Sequence, residues 1–163
     1  MIGLQRRIVQ VVGYKNSGKT TLICHLIGQL AEKGLRVGTV KHDSHDFQWD
    51  TAGTDTWKHT AAGAHTVAIT STKKTAVFKQ KPASLDELVS GMDDVDVILV
   101  EGFKQEKYPK VLLIRNVDDT QLLQQLTNVI AVVSPVPLTN IRLPVWPAGQ
   151  TDGLAEFLLD QWE

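Results

Sequence analysis

Gly13-Tyr14-Lys15-Asn16-Ser17-Gly18-Lys19-Thr20 has the spacing G-x-x-x-x-G-K-[ST], and it limits what this chain can fold into more than any other segment. The spacing has a physical cause. Its glycines let the backbone take conformations closed to residues with a side chain, so that successive N–H groups converge on phosphate oxygens. Such a loop works between a strand that delivers it and a helix whose unpaired N-terminal N–H groups face the same anion. Both are present in the sequence. Residues 8–12 are a short β-branched run ending at Gly13. From 20 to 33, Leu22, Ile23, Leu26, Ile27, Leu30 and Ala31 recur at three- and four-residue spacing, and Gly34 follows as a helix-ending residue. The segment therefore predicts a phosphate cradle in which Lys19 reaches the β- and γ-phosphates and the Thr20 hydroxyl suits Mg2+.

The remaining pattern alternates. Residues 36–40, 95–100, 111–114 and 129–133 are short apolar strand candidates. Helices are expected from Ser84, with Glu87 completing a capping box, from Asp118 or Thr120, and from 151 to about 159 after the proline-punctuated segment 143–147. Near-continuous apolar strands separated by helices predict a mostly parallel sheet covered on both faces. Residues 65–70 and 74–79, joined by Ser71-Thr72-Lys73, read instead as an antiparallel hairpin. Just before them, 53–64 reads as a short helix closed by Gly63, with Trp57 as a packing residue. The expected fold is a P-loop NTPase three-layer αβα domain spanning residues 1–163, with an inserted hairpin at about 65–80. A length of 163 residues suits one such domain.

Composition excludes several classes. Seventeen Lys and Arg against eighteen Asp and Glu leave a net charge of −1, without the basic excess that duplex binding requires, so no nucleic-acid partner is expected. The single cysteine, Cys24, excludes an internal disulfide framework and a multi-cysteine metal site; at an apolar position of the first helix it is expected to be buried. No apolar run approaches the roughly 18 residues of a membrane span, and the N-terminal apolar run is too short for a signal sequence, so the expected location is the cytoplasm.

A P-loop also needs an acid at the end of a neighbouring strand to hold the metal. Asp96-Val97-Ile98-Leu99-Val100-Glu101 offers one at each end, roughly 16 Å apart in an extended chain. Ligands of such sheets bind beyond the carboxyl ends of the strands, which selects Glu101 and leaves Asp96 as a strand-start residue in solvent. The loop after the second strand holds His42, Asp43, His45, Asp46 and Asp50. A solvated loop fits these residues, and so does a switch or substrate-facing role in which Asp43 reaches the Mg2+ shell or orients a water, making it the catalytic candidate. His-Asp-x-His-Asp is not a common zinc spacing. Lys104 reads either as a phosphate or substrate contact or as a solvated charge like Lys107 and Lys110. His25 has no evident partner, and the chain lacks the G-x-S-x-G elbow of a serine hydrolase.

Taken in order, GYKNSGKTTL, VGTVKHDSHDF, GTDTWKHTAAGA and DVILVEGFK resemble the MobB family of molybdenum-cofactor biosynthesis, over residues 8 to about 159. The resemblance implies a small homodimeric protein that binds GTP with Mg2+ and hydrolyses it weakly. It also implies assistance to a separate molybdopterin guanylyltransferase and delivery of the finished cofactor to molybdoenzymes. Carried over by position, it puts nucleotide binding on Gly13, Tyr14, Lys15, Asn16, Ser17, Gly18, Lys19, Thr20 and Thr21, the metal on Thr20 and Glu101, and the variable switch on residues 42–46. Two features depart from wider patterns. Tyr14 stands where dimeric P-loop ATPases often carry a lysine, and there is no Asn-Lys-x-Asp motif, so GTP over ATP is implied by the resemblance alone. The competing reading is a P-loop small-molecule kinase. Such enzymes supply arginines from a lid, whereas Arg6, Arg7, Arg36, Arg115 and Arg142 do not gather in one loop. The hairpin residues Val67, Ile69, Val77 and Phe78 present apolar strand edges that a second copy would cover.

Overall fold

In chain order the elements are β1 (Arg7–Val12), α1 (Lys19–Glu32), β2 (Val37–Lys41), α2 (Asp55–Ala61), β3 (Thr66–Thr70), β4 (Thr75–Lys79), α3 (Leu85–Ser90), β5 (Val97–Glu101), β6 (Lys110–Leu113), a 3-10 helix (Val117–Gln124), β7 (Val129–Ser134), β8 (Val145–Pro147) and α4 (Leu154–Asp160). They come from a computed structural model that describes residues 6–163; the first five residues, and with them part of the expectation about the N-terminal run, lie outside it. The chain divides into two compact units, one of Met1–His42 with Leu85–Glu163 and one of Asp43–Ser84.

The first unit is built on six strands in the order β2-β5-β1-β6-β7-β8. Every pairing in that sheet is parallel. Period-two alternation explains why both faces are covered. Val9, Val11, Leu99 and Val111 point to the side where α1 and α4 supply Leu22, Leu26, Leu30, Leu154 and Leu158. Ile8, Ile98 and Val100 point the other way, against Leu85 and Val89 of α3, and Val12, Leu112 and Val132 pack with Leu122 of the 3-10 helix. Three layers result. α1 ends where its sequence requires: Gly34 takes φ +80°, its N–H donates to Ala31 O at 2.9 Å, and Leu35 N–H donates to Leu30 O at 3.1 Å, the double closure of a Schellman turn.

Two expectations, for Cys24 and Asp96, need correction, and two segments are defined more closely. Cys24 is exposed, because the buried stripe of α1 runs through Leu22, Ile23, Leu26 and Leu30 and leaves position 24 outward. The helix near Asp118 is 3-10 rather than α, capped by the Asn116 side chain, which accepts from Asp118 N–H at 3.0 Å. Asp96 is not merely solvated: it accepts from the Arg36 guanidinium at 3.1 and 3.2 Å and from Arg36 N–H at 2.7 Å, tying the start of β2 to the start of β5. The segment 143–147 contributes an edge strand, β8, where a proline such as Pro147 is tolerated.

In the second unit, Thr54 caps α2 by accepting from Trp57 N–H at 3.3 Å, and Gly63 at φ +108° closes it. The hairpin pairs Val67 with Phe78 and Ile69 with Ala76. Ser71 organises its turn by accepting from the N–H groups of Lys73 and Lys74. Val67 is buried, whereas Ile69 and Val77 are 51% and 54% exposed.

Candidate functional site

The loop between β1 and α1 lies at the carboxyl edge of the parallel sheet. Gly18 precedes α1 in a left-handed conformation at φ +95° and has no side chain to cap the helix. The first N–H groups of α1, at Lys19, Thr20 and Thr21, thus lack the side-chain cap that would compete with an anion. Asn16 also adopts a positive φ of 61°, and Ser17 N–H donates to Tyr14 O at 3.3 Å, which folds the loop back on itself. At Gly13 a Cβ would stand 2.5 Å from Leu113 O and 2.7 Å from Ser17 Oγ, so any larger residue displaces the loop. Ser17 Oγ is buried without a hydrogen-bond partner among the described residues, and Lys15 is exposed.

Lys19 curls over this loop and donates to Gly13 O at 3.1 Å and Tyr14 O at 2.8 Å. Burial pushes its ammonium below the usual lysine range; Glu101 opposes that shift, and Lys104 and Lys41 add to it. Thr20 Oγ1 donates to Glu101 Oε1 at 2.9 Å, joining the N-terminus of α1 to the carboxyl end of β5. The register explains the meeting: Glu101 lies beside Val11 of β1 on one side and Lys41 of β2 on the other, and Lys41 Nζ stands 3.9 Å from Glu101 Oε1. The two oxygens of Thr20 and Glu101 are donors of the kind a hard divalent cation takes. Asp96 is at the opposite end of β5, as the strand direction requires.

Asp43 belongs to the second unit, where it accepts from His45 N–H at 3.1 Å. Among the described residues no group of three or more His, Cys, Asp or Glu side chains converges to hold a metal.

Three features escaped the sequence reading. Gln10 is fully buried in β1, and its Nε2 donates to Gly102 O at 3.0 Å and Phe103 O at 2.6 Å. These are the two residues after Glu101, both with positive φ, 90° and 54°. A left-handed phenylalanine is an uncommon, strained conformation, and Gln10 pins it from inside the sheet. His42 supports the same turn, donating its N–H to Glu101 O at 3.0 Å and packing its ring edge-on 5.0 Å from that of Phe103. Lastly, the Tyr14 ring holds two cations, Lys104 Nζ at 5.1 Å and Arg115 Cζ at 4.8 Å. A lone glutamine inside Ile8-Val9-Gln10-Val11-Val12 was the one visible signal of this machinery.

Residues 8–135 match the family described as MobB, molybdopterin guanine dinucleotide synthesis protein B. The chain belongs to the MobB family. Relatives agree along most of its length. It is 39% identical over 136 residues to the molybdopterin-guanine dinucleotide biosynthesis adapter protein of Haemophilus influenzae, covering 80% of this chain and 76% of that protein. It is 34% identical over 161 residues to the Escherichia coli adapter protein, covering 94% and 91%. The crystal structure of Bacillus subtilis MobB superposes with a TM-score of 0.79 at 32% identity over 96% of this chain and 98% of that one. MobB membership accounts for the P-loop NTPase-like fold with its added hairpin. None of the helices among the described residues is long and apolar enough to cross a membrane.

Proposed function

We propose that this MobB-family chain is a cytoplasmic, homodimeric adaptor that binds GTP with Mg2+, hydrolyses it weakly, and assists the guanylyltransferase that converts molybdopterin to its guanine dinucleotide form, with molybdoenzymes as the receivers of the cofactor. The observation that carries the reading is the 2.9 Å contact between Thr20 and Glu101 above a loop whose own amides are uncapped. Thr20 and Glu101 would hold Mg2+, Glu101 through a water. Bound there, the ion supplies charge neutralisation to phosphate oxygens. The chain does the rest. Gly13 to Thr21 cradle phosphate with backbone N–H groups, Lys19 exchanges its carbonyl partners for phosphate oxygens, and Gln10 and His42 hold the turn that orients Glu101. Slow turnover is supported by Arg115, whose guanidinium is engaged by Asp119 at 2.8 and 2.9 Å. The dimer is supported by a hairpin in which β3 and β4 pair with each other and leave Ile69 and Val77 exposed.

Titration calorimetry with GTP and ATP, with and without Mg2+, tests the site. We expect GTP to bind more tightly than ATP and Lys19→Ala to weaken it by about 100-fold or more, since a charge-assisted phosphate contact at an uncapped helix is lost. Tighter binding of ATP overturns the guanine assignment, and unchanged binding by Lys19→Ala overturns the site. A monomeric mass in light scattering removes the dimer.

A further inference from the structure

Lys110 is expected from the sequence to be a solvated charge, yet it is fully buried at the start of β6. Its Nζ donates to Glu106 O and, at 3.1 Å, to Tyr108 O, and it makes no ion pair among the described residues. Burial pushes its ammonium below the usual lysine range. A cation is costly to bury, and the groups that satisfy this one are carbonyls of the loop between β5 and β6. Its neighbour in the β1 register is Gln10, which holds Gly102 O and Phe103 O at the start of the same loop. Asn128 Nδ2 donates to Lys107 O at 3.2 Å, and Glu106 N–H closes a turn on Phe103 O at 2.9 Å. Two adjacent strands thus fix both ends of the loop, and Lys104 lies between them.

Lys104 and Lys107 share that loop and differ in their surroundings. Lys107 is exposed, pairs with Asp86 at 3.9 Å and lies over the Tyr108 ring. Lys104 is half-buried, sets its Nζ over the Tyr14 ring of the phosphate loop, 5.1 Å from the centroid, and pairs with no carboxylate among the described residues. Lys41 and Lys104 both add positive charge at Lys19, and Glu101 alone opposes them. Three ammonium groups therefore share one carboxylate beside an uncapped helix start, an excess that an anion would neutralise. The place of Lys104 in the chain says which part of a nucleotide it meets. It follows Glu101 in the same turn, and a metal held at such an acid bridges the β- and γ-phosphates. Lys104 thus approaches from the terminal-phosphate side of the loop.

We propose that Lys104 binds the terminal phosphate of a nucleoside triphosphate, exchanging the Tyr14 ring for phosphate oxygens, and that Lys110 positions it by fixing the loop. The inference rests on the P-loop reading proposed above and deepens it. Lys19 also reaches the β-phosphate and serves diphosphate and triphosphate alike, whereas Lys104 tells them apart. The chain then distinguishes the nucleotide before hydrolysis from the nucleotide after it.

Calorimetry on the intact protein with Mg2+ compares the non-hydrolysable β,γ-imido analogue of GTP with GDP. Lys104→Gln should weaken the triphosphate analogue by about tenfold or more and GDP by less than about twofold, since one charge-assisted contact is lost from one ligand only. Lys104→Arg, which keeps the cation, should restore most of the loss. Lys107→Gln, the same charge change on the same loop, should leave both ligands within about twofold of the parent. Lys110→Met should repeat the selective loss in weaker form, and a melt of the same variant separates that loss from unfolding. Equal weakening of both ligands by Lys104→Gln, or none, overturns the proposal. So does an equal effect of Lys107→Gln, which would make the loss one of net charge. A folded Lys110→Met chain that keeps full discrimination overturns the positioning role. Lys19→Ala should weaken both ligands throughout, and retained binding by that variant overturns the P-loop reading along with this one. Should ATP be the tighter ligand, its imido analogue and ADP give the same comparison, because the phosphate readout is independent of the base.

Discussion

The two units place their apolar residues in opposite ways. In the six-stranded unit Val9, Val11, Leu99, Val100 and Leu112 are fully buried, so its apolar residues serve cohesion. In the Asp43–Ser84 unit Phe47, Trp49, Ile69 and Val77 are more than half exposed, so much of its apolar surface is left available for contact with something else. One chain thus separates the part that makes it stable from a part suited to recognition. The separation can be broken experimentally. Leu99→Ala removes a side chain with no exposure from beneath α1, and we expect it to cost about 2–5 kcal/mol in urea unfolding. Val77→Thr, measured at a dilution where no second copy covers the hairpin, should stay within about 0.5 kcal/mol of the parent. Equal losses there would mean that the hairpin face is packed within the single chain and that the contrast is false.

The contrast sharpens at Gln10, the polar exception inside the cohesive unit. Its amide donates to both carbonyls of a left-handed turn that follows Glu101. Gln10→Leu keeps the bulk and deletes the donor, leaving Gly102 O and Phe103 O without it. We expect a loss of about 1–3 kcal/mol in the same unfolding measurement. A second readout separates positioning from stability: Mg2+-dependent GTP affinity should fall by more than GTP affinity measured without the metal. Parallel losses would reduce Gln10 to a structural residue.

What could be read from the sequence divides along similar lines. β1, α1 and Gly34 follow from local chemistry, because a β-branched run, a three-to-four apolar stripe and a C-terminal glycine each specify their own element. The placement of Glu101 also follows, since a parallel strand has one carboxyl end, and that end carries the ligand. Cys24 was misread because a helical stripe fixes its centre better than its margins: position 24 is flanked by buried Ile23 and Leu26 and still faces out. The partners of Gln10, His42 and Tyr14 come from Gly102, Phe103, Lys104 and Arg115, distant in sequence and brought near by strand order. Trp57, 42% exposed, shows a related limit. A tryptophan in a short helix looks the same whether it is sealed in a core or left partly open.

The smallest effect concerns the rim of the cohesive unit. Arg115 and Asp119 form a bidentate pair, with Asp119 also accepting from Arg115 N–H at 2.9 Å, and the guanidinium stacks over Tyr14. The Arg115 hydrogen bond holds the Asp119 carboxyl down at about 2, against an ordinary 3.8. A carboxyl depressed in the folded state adds stability above its unfolded value and loses it as pH falls toward the folded one. The contribution of this pair is therefore complete above about pH 4–5 and fades between pH 4 and 2. Asp119→Asn should lower the melting temperature at pH 7, with the gap from the parent closing in melts at pH 3.5 and 2.5. Since Arg115 braces the P-loop tyrosine, the variant should also weaken GTP modestly at pH 7, whereas Val77→Thr should not. A gap that stays constant with pH would show that the pair acts through shape rather than charge, and would detach the Tyr14 contact from the electrostatics of the site.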